Sequence, residues 1–312
     1  MRRPLLTLLV CCVIGLATAP ARADDWSVCK DENAAADTAI EACTRIVKAG
    51  KTKGNDLAVT YYNRAISYRQ KNDTDAALAD YNDSIRINPK YPKAFNNRGN
   101  IWKDKGDHDR AIADYNEAIR LDPKFALAYA NRGDVWDDKG DTNRAIADLD
   151  QAIRLDPVYS RAYNIRGVIY RNRSDVNRAL ADYTEAIRAD PKYALAYMNR
   201  GNVYKDQGDH DRAISDYTEA MRINPKSDVA YMRRSEAWLK KGDNLAALRD
   251  ADEAVNLDPN DAANYANRAA VMRALSRNDD AIADLRKGLT LKPNESRKRQ
   301  IEGALRELGA SP

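Results

Sequence analysis

Apolar residues recur along most of the chain at spacings of three and four, which is the pattern of amphipathic α-helices. The pattern itself repeats: residues 94–123 read AFNNRGNIWKDKGDHDRAIADYNEAIRLDP, and residues 128–157 read AYANRGDVWDDKGDTNRAIADLDQAIRLDP. Prolines mark the period, since each lies 34 residues after the one before: Pro89, Pro123, Pro157, Pro191, Pro225, Pro259 and Pro293. A fixed period of this length predicts an array that grows by stacking repeats rather than by enlarging one core.

Each repeat contains two helical patterns. The first has an aromatic residue at position 4, a small residue at position 8 and a large residue at position 11, and the second has alanine at position 20. A turn such as KGD separates the helices, and proline ends the second one. The predicted organisation is a signal peptide at 1–23, a degenerate capping half-repeat at 24–57, seven repeats at 58–91, 92–125, 126–159, 160–193, 194–227, 228–261 and 262–295, and a capping helix with tail at 296–312.

This period, with its small, aromatic and proline positions, resembles the tetratricopeptide repeat family, here of the exported bacterial type. The resemblance implies an all-α fold, a right-handed α-solenoid of helix-turn-helix repeats with capping helices at both ends. In that family the first helices line a concave groove that receives an extended peptide or a helix of a partner protein. The resemblance therefore implies a non-enzymatic scaffold whose partner is another protein.

The family's groove positions, carried onto this chain, give a set of candidate partner-binding residues: Asn63, Asn97, Asn100, Asn131, Asp137, Asp138, Arg161, Arg171, Met198, Asn199, Asn202, Met232, Leu239 and Asn267. The asparagines at position 6 have two interpretations. Their amides can both donate to and accept from a peptide backbone, or they can cap and bridge neighbouring helices.

The lining of the predicted groove changes character along the chain. It is acidic in the third repeat, with Asp137 and Asp138, and basic in the fourth, with Arg161 and Arg171. From the fifth repeat onward it is apolar, with residues such as Leu195, Met198, Val229, Met232 and Leu239 followed by four alanines. An apolar strip of this kind suggests a contact surface. The alternative is that these side chains pack on each other or on the C-terminal helix.

Position 7 departs from the family, which usually has leucine there. All seven repeats have arginine at position 7 and aspartate at position 23. The pairs are Arg64 with Asp80, Arg98 with Asp114, Arg132 with Asp148, Arg166 with Asp182, Arg200 with Asp216, Arg234 with Asp250, and Arg268 with Asp284. Matched opposite charges predict a structural ion-pair ladder between helices. A polybasic ligand strip is the alternative, but it would not need the acids.

The N-terminus predicts export. Two arginines precede an apolar run from Leu5 to Ala19, and small residues follow, so we expect cleavage after Ala23 and a periplasmic or secreted protein. The apolar run is short for a membrane span, and an uncleaved anchor is the alternative. Cleavage would leave 48 basic and 47 acidic residues. That balance gives no reason to expect a nucleic-acid partner.

Cysteine use fits an oxidising compartment. Only Cys29 and Cys43 remain after cleavage, and we expect them to form one disulfide. Two thiols without a nearby histidine are too few for a zinc site, and no motif calls for a cofactor or a catalytic role. His108 and His210 occupy equivalent turn positions, which suggests solvent-facing residues. The functions left open are a binding scaffold, a self-assembling structural solenoid and, with least support, an enzyme without a recognisable motif.

Overall fold

The structure, a computed structural model, describes residues 24–311, so the predicted signal segment lies outside the described residues. The chain divides into two compact units, one ending at Ala128 and one beginning at Tyr129. Within the described range all regular secondary structure is helical, and each first helix is followed by a second helix that packs on it. The predicted all-α repeat fold is therefore confirmed.

Seventeen helices cover the described residues. The first unit contains α1 (Asp25–Lys30), α2 (Ala36–Ala49), α3 (Gly54–Gln70), α4 (Thr74–Ile87), α5 (Pro92–Asp104) and α6 (His108–Leu121). Helix α7 (Ala126–Asp138) begins in the first unit and ends in the second. The second unit continues with α8 (Thr142–Leu155), α9 (Ser160–Asn172), α10 (Val176–Ala189), α11 (Ala194–Asp206), α12 (His210–Ile223), α13 (Asp228–Lys241), α14 (Asn244–Leu257), α15 (Ala262–Ala274), α16 (Asn278–Thr290) and α17 (Glu295–Glu307).

Aspartate begins most of the second helices. Its side chain accepts a hydrogen bond from a backbone N–H in the first turn, which satisfies a donor that has no partner inside the helix. The capping residues are Asp73, Asp107, Asp141, Asp175, Asp209 and Asp243. The residue before the cap takes a left-handed conformation, as at Gly106 with φ of 75°. The KGD turn seen in the sequence thus combines a left-handed residue with a helix cap.

Close packing of the paired helices explains the small residue at position 8. A Cβ atom on Gly99, Gly167 or Gly201 would lie 2.7 to 2.8 Å from the ring of the tyrosine at position 24 of the same repeat. That distance is shorter than van der Waals contact, so a larger residue at Gly99, Gly167 or Gly201 would force the tyrosine ring to shift. The tyrosines themselves are fully buried and form the largest side chains of the core.

A second contact joins the aromatic residue at position 11 to the turn in the four repeats from 92 to 227. In the first of these, Arg110 Nε donates to the capping Asp107 at 2.6 Å, and its guanidinium carbon lies 3.9 Å from the ring centroid of Trp102. The same arrangement recurs on Trp136, Tyr170 and Tyr204 with Arg144, Arg178 and Arg212 at 3.7, 4.4 and 4.2 Å. Cation–π stacking and a charge-assisted hydrogen bond therefore hold each of these turns.

The Cys29–Cys43 disulfide joins α1 to α2, with 5.0 Å between the two Cα atoms. The predicted pairing is confirmed. Both cysteines are buried together with Ala42 and Ile46 in a small apolar cluster. Beside it, Arg45 Nη2 donates to the Asp25 carboxylate at 2.7 Å. The covalent bond and the ion pair fix a short helix that is too small to be stable alone.

The structure brings the members of every position-7 and position-23 pair together. Each arginine donates from Nη2 to one aspartate oxygen at 2.6 to 2.8 Å and from Nε to the other at 2.7 to 2.9 Å. The aspartate side chains are at most 11% exposed. This bidentate geometry is the strong form of the arginine–carboxylate interaction.

Six of these arginines also reach the preceding second helix through Nη1. Arg98 donates to Asn82 at 2.8 Å, and Arg234 donates to Thr218 at 2.9 Å. Equivalent bonds run from Arg64 to Thr44, from Arg166 to Asp150, from Arg200 to Thr184 and from Arg268 to Asp252. One side chain therefore contacts both helices of its own repeat and the second helix of the one before.

The first prediction concerns the disulfide. In the chain from residue 24 onward, protein isolated without reductant is expected to contain no free thiol on titration. Reduction should destabilise the N-terminal helices by about 3 kcal/mol, because the bond closes a loop of about 15 residues. Unfolding followed with and without reductant measures this difference. Two reactive thiols in the unreduced protein would show that the pairing is absent.

The second prediction concerns the ladder. Arg132→Leu should lower the free energy of unfolding by about 3 to 5 kcal/mol, because it leaves the buried Asp148 carboxylate without its partner. Adding Asp148→Leu should recover much of this loss. Arg188→Leu, which removes an exposed pair with Glu185, is the matched control and should change stability by less than about 1 kcal/mol. Equal effects of the buried and exposed substitutions would contradict the structural role.

Candidate functional site

The first helices of successive repeats lie side by side in the second unit, where α9 contacts α11, α11 contacts α13, and α13 contacts α15. We call the surface formed by these four helices the first-helix face. Most of the candidate partner-binding residues belong to it. The structure divides them into side chains that pair with other parts of the protein and side chains that solvent reaches.

The position-6 asparagines mostly bridge neighbouring repeats. Asn97 Nδ2 donates to the Tyr62 hydroxyl at 3.1 Å, and Asn199 Nδ2 donates to Asn164 Oδ1 at 2.9 Å. Asn131, which is 2% exposed, accepts from Arg161 Nη1 at 2.9 Å. These contacts favour the interpretation that the asparagines bridge neighbouring helices over the interpretation that they bind a peptide backbone. Asn267 is also buried at 8% exposure, and Asn63 is half-buried.

The position-9 asparagines bind the buried tyrosines. Asn100 Oδ1 accepts from the Tyr115 hydroxyl at 2.7 Å, and Asn202 Oδ1 accepts from Tyr217 at 2.8 Å. The fourth repeat has valine at this position, and there the Tyr183 hydroxyl is buried without a hydrogen-bond partner. Burial raises the pKa of Tyr183 to about 12, against the opposing charge of Arg171. This pairing of positions 9 and 24 was not predicted, although both residues could be read from the sequence.

The acidic residues of α7 meet the basic residues of α9 at the start of this face. Arg161 Nη2 pairs with Asp134 at 3.0 Å, so this cation is already engaged inside the protein. Asp137 is half-buried, and burial together with the charges of Asp138 and Asp134 raises the pKa of its carboxyl. Asp138 is exposed, and Arg171 is half-buried.

Another charged cluster on the same face was missed by the sequence analysis. Glu236 accepts from Lys205 Nζ at 2.6 Å and from Arg233 Nη1 at 3.1 Å. Burial alone would raise the pKa of Glu236, but the hydrogen bond from Lys205 and the charge of Arg233 hold the pKa below its ordinary value. The cluster joins α11 to α13 and is consistent with a structural role.

The predicted apolar strip is narrower in the structure than in the sequence. Met232 is 6% exposed, so its side chain is part of the core and cannot line a surface. Met198 packs on the cluster formed around Ala213 and Tyr217, and Leu239 packs on the next cluster. The side chains that remain open are Leu195, at 52% exposure, and Val229, at 42%. They occupy the same repeat position on the adjacent helices α11 and α13.

Family models decide the identity of this arrangement. A tetratricopeptide repeat model matches residues 92–125 and 194–227, another matches 126–159, and a TPR repeat model matches 67–104 and 167–208. The chain is a tetratricopeptide repeat protein. Proteins with this repeat are in general non-enzymatic scaffolds that bind other proteins, and the fold supports that role here.

Solved structures show the same tetratricopeptide repeat fold. A tetratricopeptide repeat protein from Parabacteroides merdae aligns with 80% of this chain and 98% of its own length, at 19% identity and a TM-score of 0.58. Yeast Tom70 aligns over 88% of this chain and 60% of its own, at 19% identity and 0.59. The PilF protein of Pseudomonas aeruginosa aligns over 68% and 96%, at 16% identity and 0.60. At these identities the likeness concerns the fold alone.

No curated protein matches the sequence significantly. Between residues 24 and 311, no helix is long and apolar enough to cross a membrane. In the same range, no group of three or more histidine, cysteine, aspartate or glutamate side chains is arranged to hold a metal ion.

The third prediction compares two equivalent tyrosines of the tetratricopeptide repeats. Tyr217→Phe should lower stability by about 1 kcal/mol, because it removes the hydrogen bond to Asn202. Tyr183→Phe should leave stability unchanged or raise it, because it removes a buried hydroxyl that has no partner. Denaturant unfolding of the two variants measures the difference. An equal loss in both would mean that the Tyr183 hydroxyl has a partner in solution.

Proposed function

We propose that this protein is a non-enzymatic interaction scaffold that binds an apolar segment of a partner protein on the first-helix face at α11 and α13. One observation carries the proposal: Leu195 and Val229 are large apolar side chains that stay exposed at the same repeat position on two helices that contact each other. Exposed apolar residues scattered singly need no explanation, but adjacent ones at equivalent positions are typical of a contact surface.

The charges of the protein support the same proposal. The arginines at position 7 are neutralised by bidentate aspartates and do not form a polybasic strip. Neighbouring polar groups on the face, including Glu236 and the bridging asparagines, are also engaged within the protein. Burial of Leu195 and Val229 therefore supplies the main favourable contribution that a partner can gain at α11 and α13.

We further propose that the protein works outside the cytoplasm, in the periplasm or after secretion. The support is the Cys29–Cys43 disulfide, because such bonds persist in oxidising compartments, together with the secretory signal predicted for residues 1–23. Self-association is the alternative use of the same apolar surface. Light scattering of the purified protein at increasing concentration separates the two, since a constant mass disfavours assembly.

The fourth prediction tests the surface. Leu195→Asp combined with Val229→Asp should abolish capture of the partner from an envelope extract, read by mass spectrometry, while helix content and melting stay nearly unchanged. A matched control is Val158→Asp with Leu245→Asp, because these side chains are 66% and 64% exposed but lie apart from the face. The control should capture the partner normally. If the control loses capture as well, or if the test variant retains it, the proposed surface is not the binding site.

A further inference from the structure

The C-terminal end of the array contains an open cavity between α15 and α17, with a volume of about 390 Å³. Its floor consists of the buried side chains Ala269, Leu285 and Ile301. A second depression of about 510 Å³ continues from it along α15 and shares Ala270 and Arg273 with it. The space above this apolar floor is large enough to accommodate a bulky side chain.

Small residues on both helices create this space. The six earlier repeats have Ile66, Asn100, Asp134, Val168, Asn202 and Glu236 at position 9, whereas the last repeat has Ala270. Ala263, Ala266 and Ala274 continue the small residues along α15, and α17 presents Gly303 and Ala304 to the same cavity. The side of α15 that lines the cavity thus consists mainly of alanines, together with Arg273.

Gly303 lies on the side of α17 that lines the cavity, and its surroundings differ from those of the glycines inside the first helices. The glycines inside the first helices are required by packing, since their Cβ atoms would lie within about 3 Å of the neighbouring helix. A Cβ atom on Gly303 would meet nothing closer than 4.0 Å, where the only neighbour is the end of the flexible Arg306 side chain. Glycine inside a helix is less favourable than alanine. Packing within the protein therefore does not require glycine at position 303, and the missing Cβ leaves the cavity open on this side.

The charge around the cavity defines the occupant. Residues 285–311 contain seven basic and three acidic side chains, whereas residues 24–284 contain 41 basic and 44 acidic ones. Arg273 and Arg299 lie at the rim, and the rim carboxylate of Glu307 is held by Arg273 at 2.9 Å. The cavity therefore has an apolar floor, and its rim carries two arginines against one carboxylate, which favours a ligand with an apolar anchor and a negative flank.

We infer that this cavity is an anchor site for an acidic segment of a partner protein, which inserts one bulky apolar side chain between α15 and α17 and places a carboxylate beside Arg299. The inference rests on the proposed function, because it assigns a place on the same scaffold to part of the partner. The inference also specifies the chemistry of that segment. The exposed side chains on α11 and α13 indicate only that the partner is apolar there.

The fifth prediction uses labelled synthetic peptides and fluorescence anisotropy with the purified protein. The peptide GSDDLFEDGS, acetylated and amidated, should bind on the order of tenfold more tightly than GSDDSSEDGS, which lacks the anchor, or GSKKLFKRGS, which reverses the charge. Added salt should weaken its binding. The neutral peptide GSGSGSGSLF is compared as its free acid and as its amide, to test whether a terminal carboxylate is bound. Tighter binding of the free acid than of the amide would identify a chain end as the source of the charge.

Amino-acid substitutions distinguish a loss of binding at the cavity from a general loss of stability. Ala270→Leu, Gly303→Leu and Arg299→Glu should each weaken binding of GSDDLFEDGS on the order of tenfold. Gly303→Ala should raise the melting temperature and yet weaken binding, which a purely structural role would not produce. Ala283→Leu is the matched control, because Ala283 is exposed on α16 in the same repeat, and it should bind normally.

Two results would overturn the anchor site: no preference of the wild-type protein for GSDDLFEDGS, or unchanged binding by both leucine variants. Capture from the envelope extract distinguishes this failure from failure of the proposed function. If Leu195→Asp with Val229→Asp abolishes capture while the cavity variants do not, the scaffold proposal stands and the anchor site is rejected. If the cavity variants alone lose peptide and partner, the anchor site stands and the surface on α11 and α13 is rejected.

Discussion

The buried arginine at position 7 constrains every part of this array. It lies where the family usually has leucine, and it replaces non-directional packing with hydrogen bonds of fixed geometry. Burial raises the pKa of the aspartates at Asp80, Asp182 and Asp216 against the opposing arginine, which shows how strongly desolvation opposes the charged state. Such pairs contribute little net stability, but the loss of one partner is expensive. We therefore interpret the ladder as a device that fixes the register between helices.

This constraint also determines which surface remains for binding. Amides at positions 6 and 9 are taken up by neighbouring repeats and by buried tyrosines, as Asn199 and Asn202 illustrate. Charges on the first helices find partners within the protein, as in the cluster around Glu236. Partner recognition therefore depends on the few positions whose side chains are not engaged in these pairings. The exposed side chains Leu195 and Val229 are of this kind, and so is the space beside Gly303.

The period and the turn chemistry were sufficient to predict the helical architecture, because the repeated pattern specifies each helix and its cap locally. The disulfide was equally predictable, since only two cysteines lie beyond the predicted signal segment. Which side chains of the first helix are buried could not be predicted from the sequence. Met232 and Val229 are both apolar and three residues apart, but the folded protein buries the first and leaves the second exposed.

Some missed features did have a sequence signal. Tyrosine at position 24 coincides with asparagine at position 9 in two repeats, and valine interrupts that coincidence beside Tyr183. The Asp-x-x-Arg turn that stacks on Trp102 and Trp136 is also visible in the sequence. The cavity at the C-terminal end was harder to foresee, because it requires α17 to bring Gly303 opposite the alanines of α15.

The direction of the Nη1 hydrogen bonds has a consequence for the growth of such an array. Each arginine needs an oxygen acceptor at position 25 of the preceding repeat, and this position is supplied by residues such as Asn82, Thr184 and Asp252. The last repeat has Arg286 at that position. An eighth copy of the motif, added by gene duplication or by end-to-end docking of another molecule, would meet a like charge instead of an acceptor. Arg286 therefore disfavours the docking of a further copy of the motif on the second helix of the last repeat.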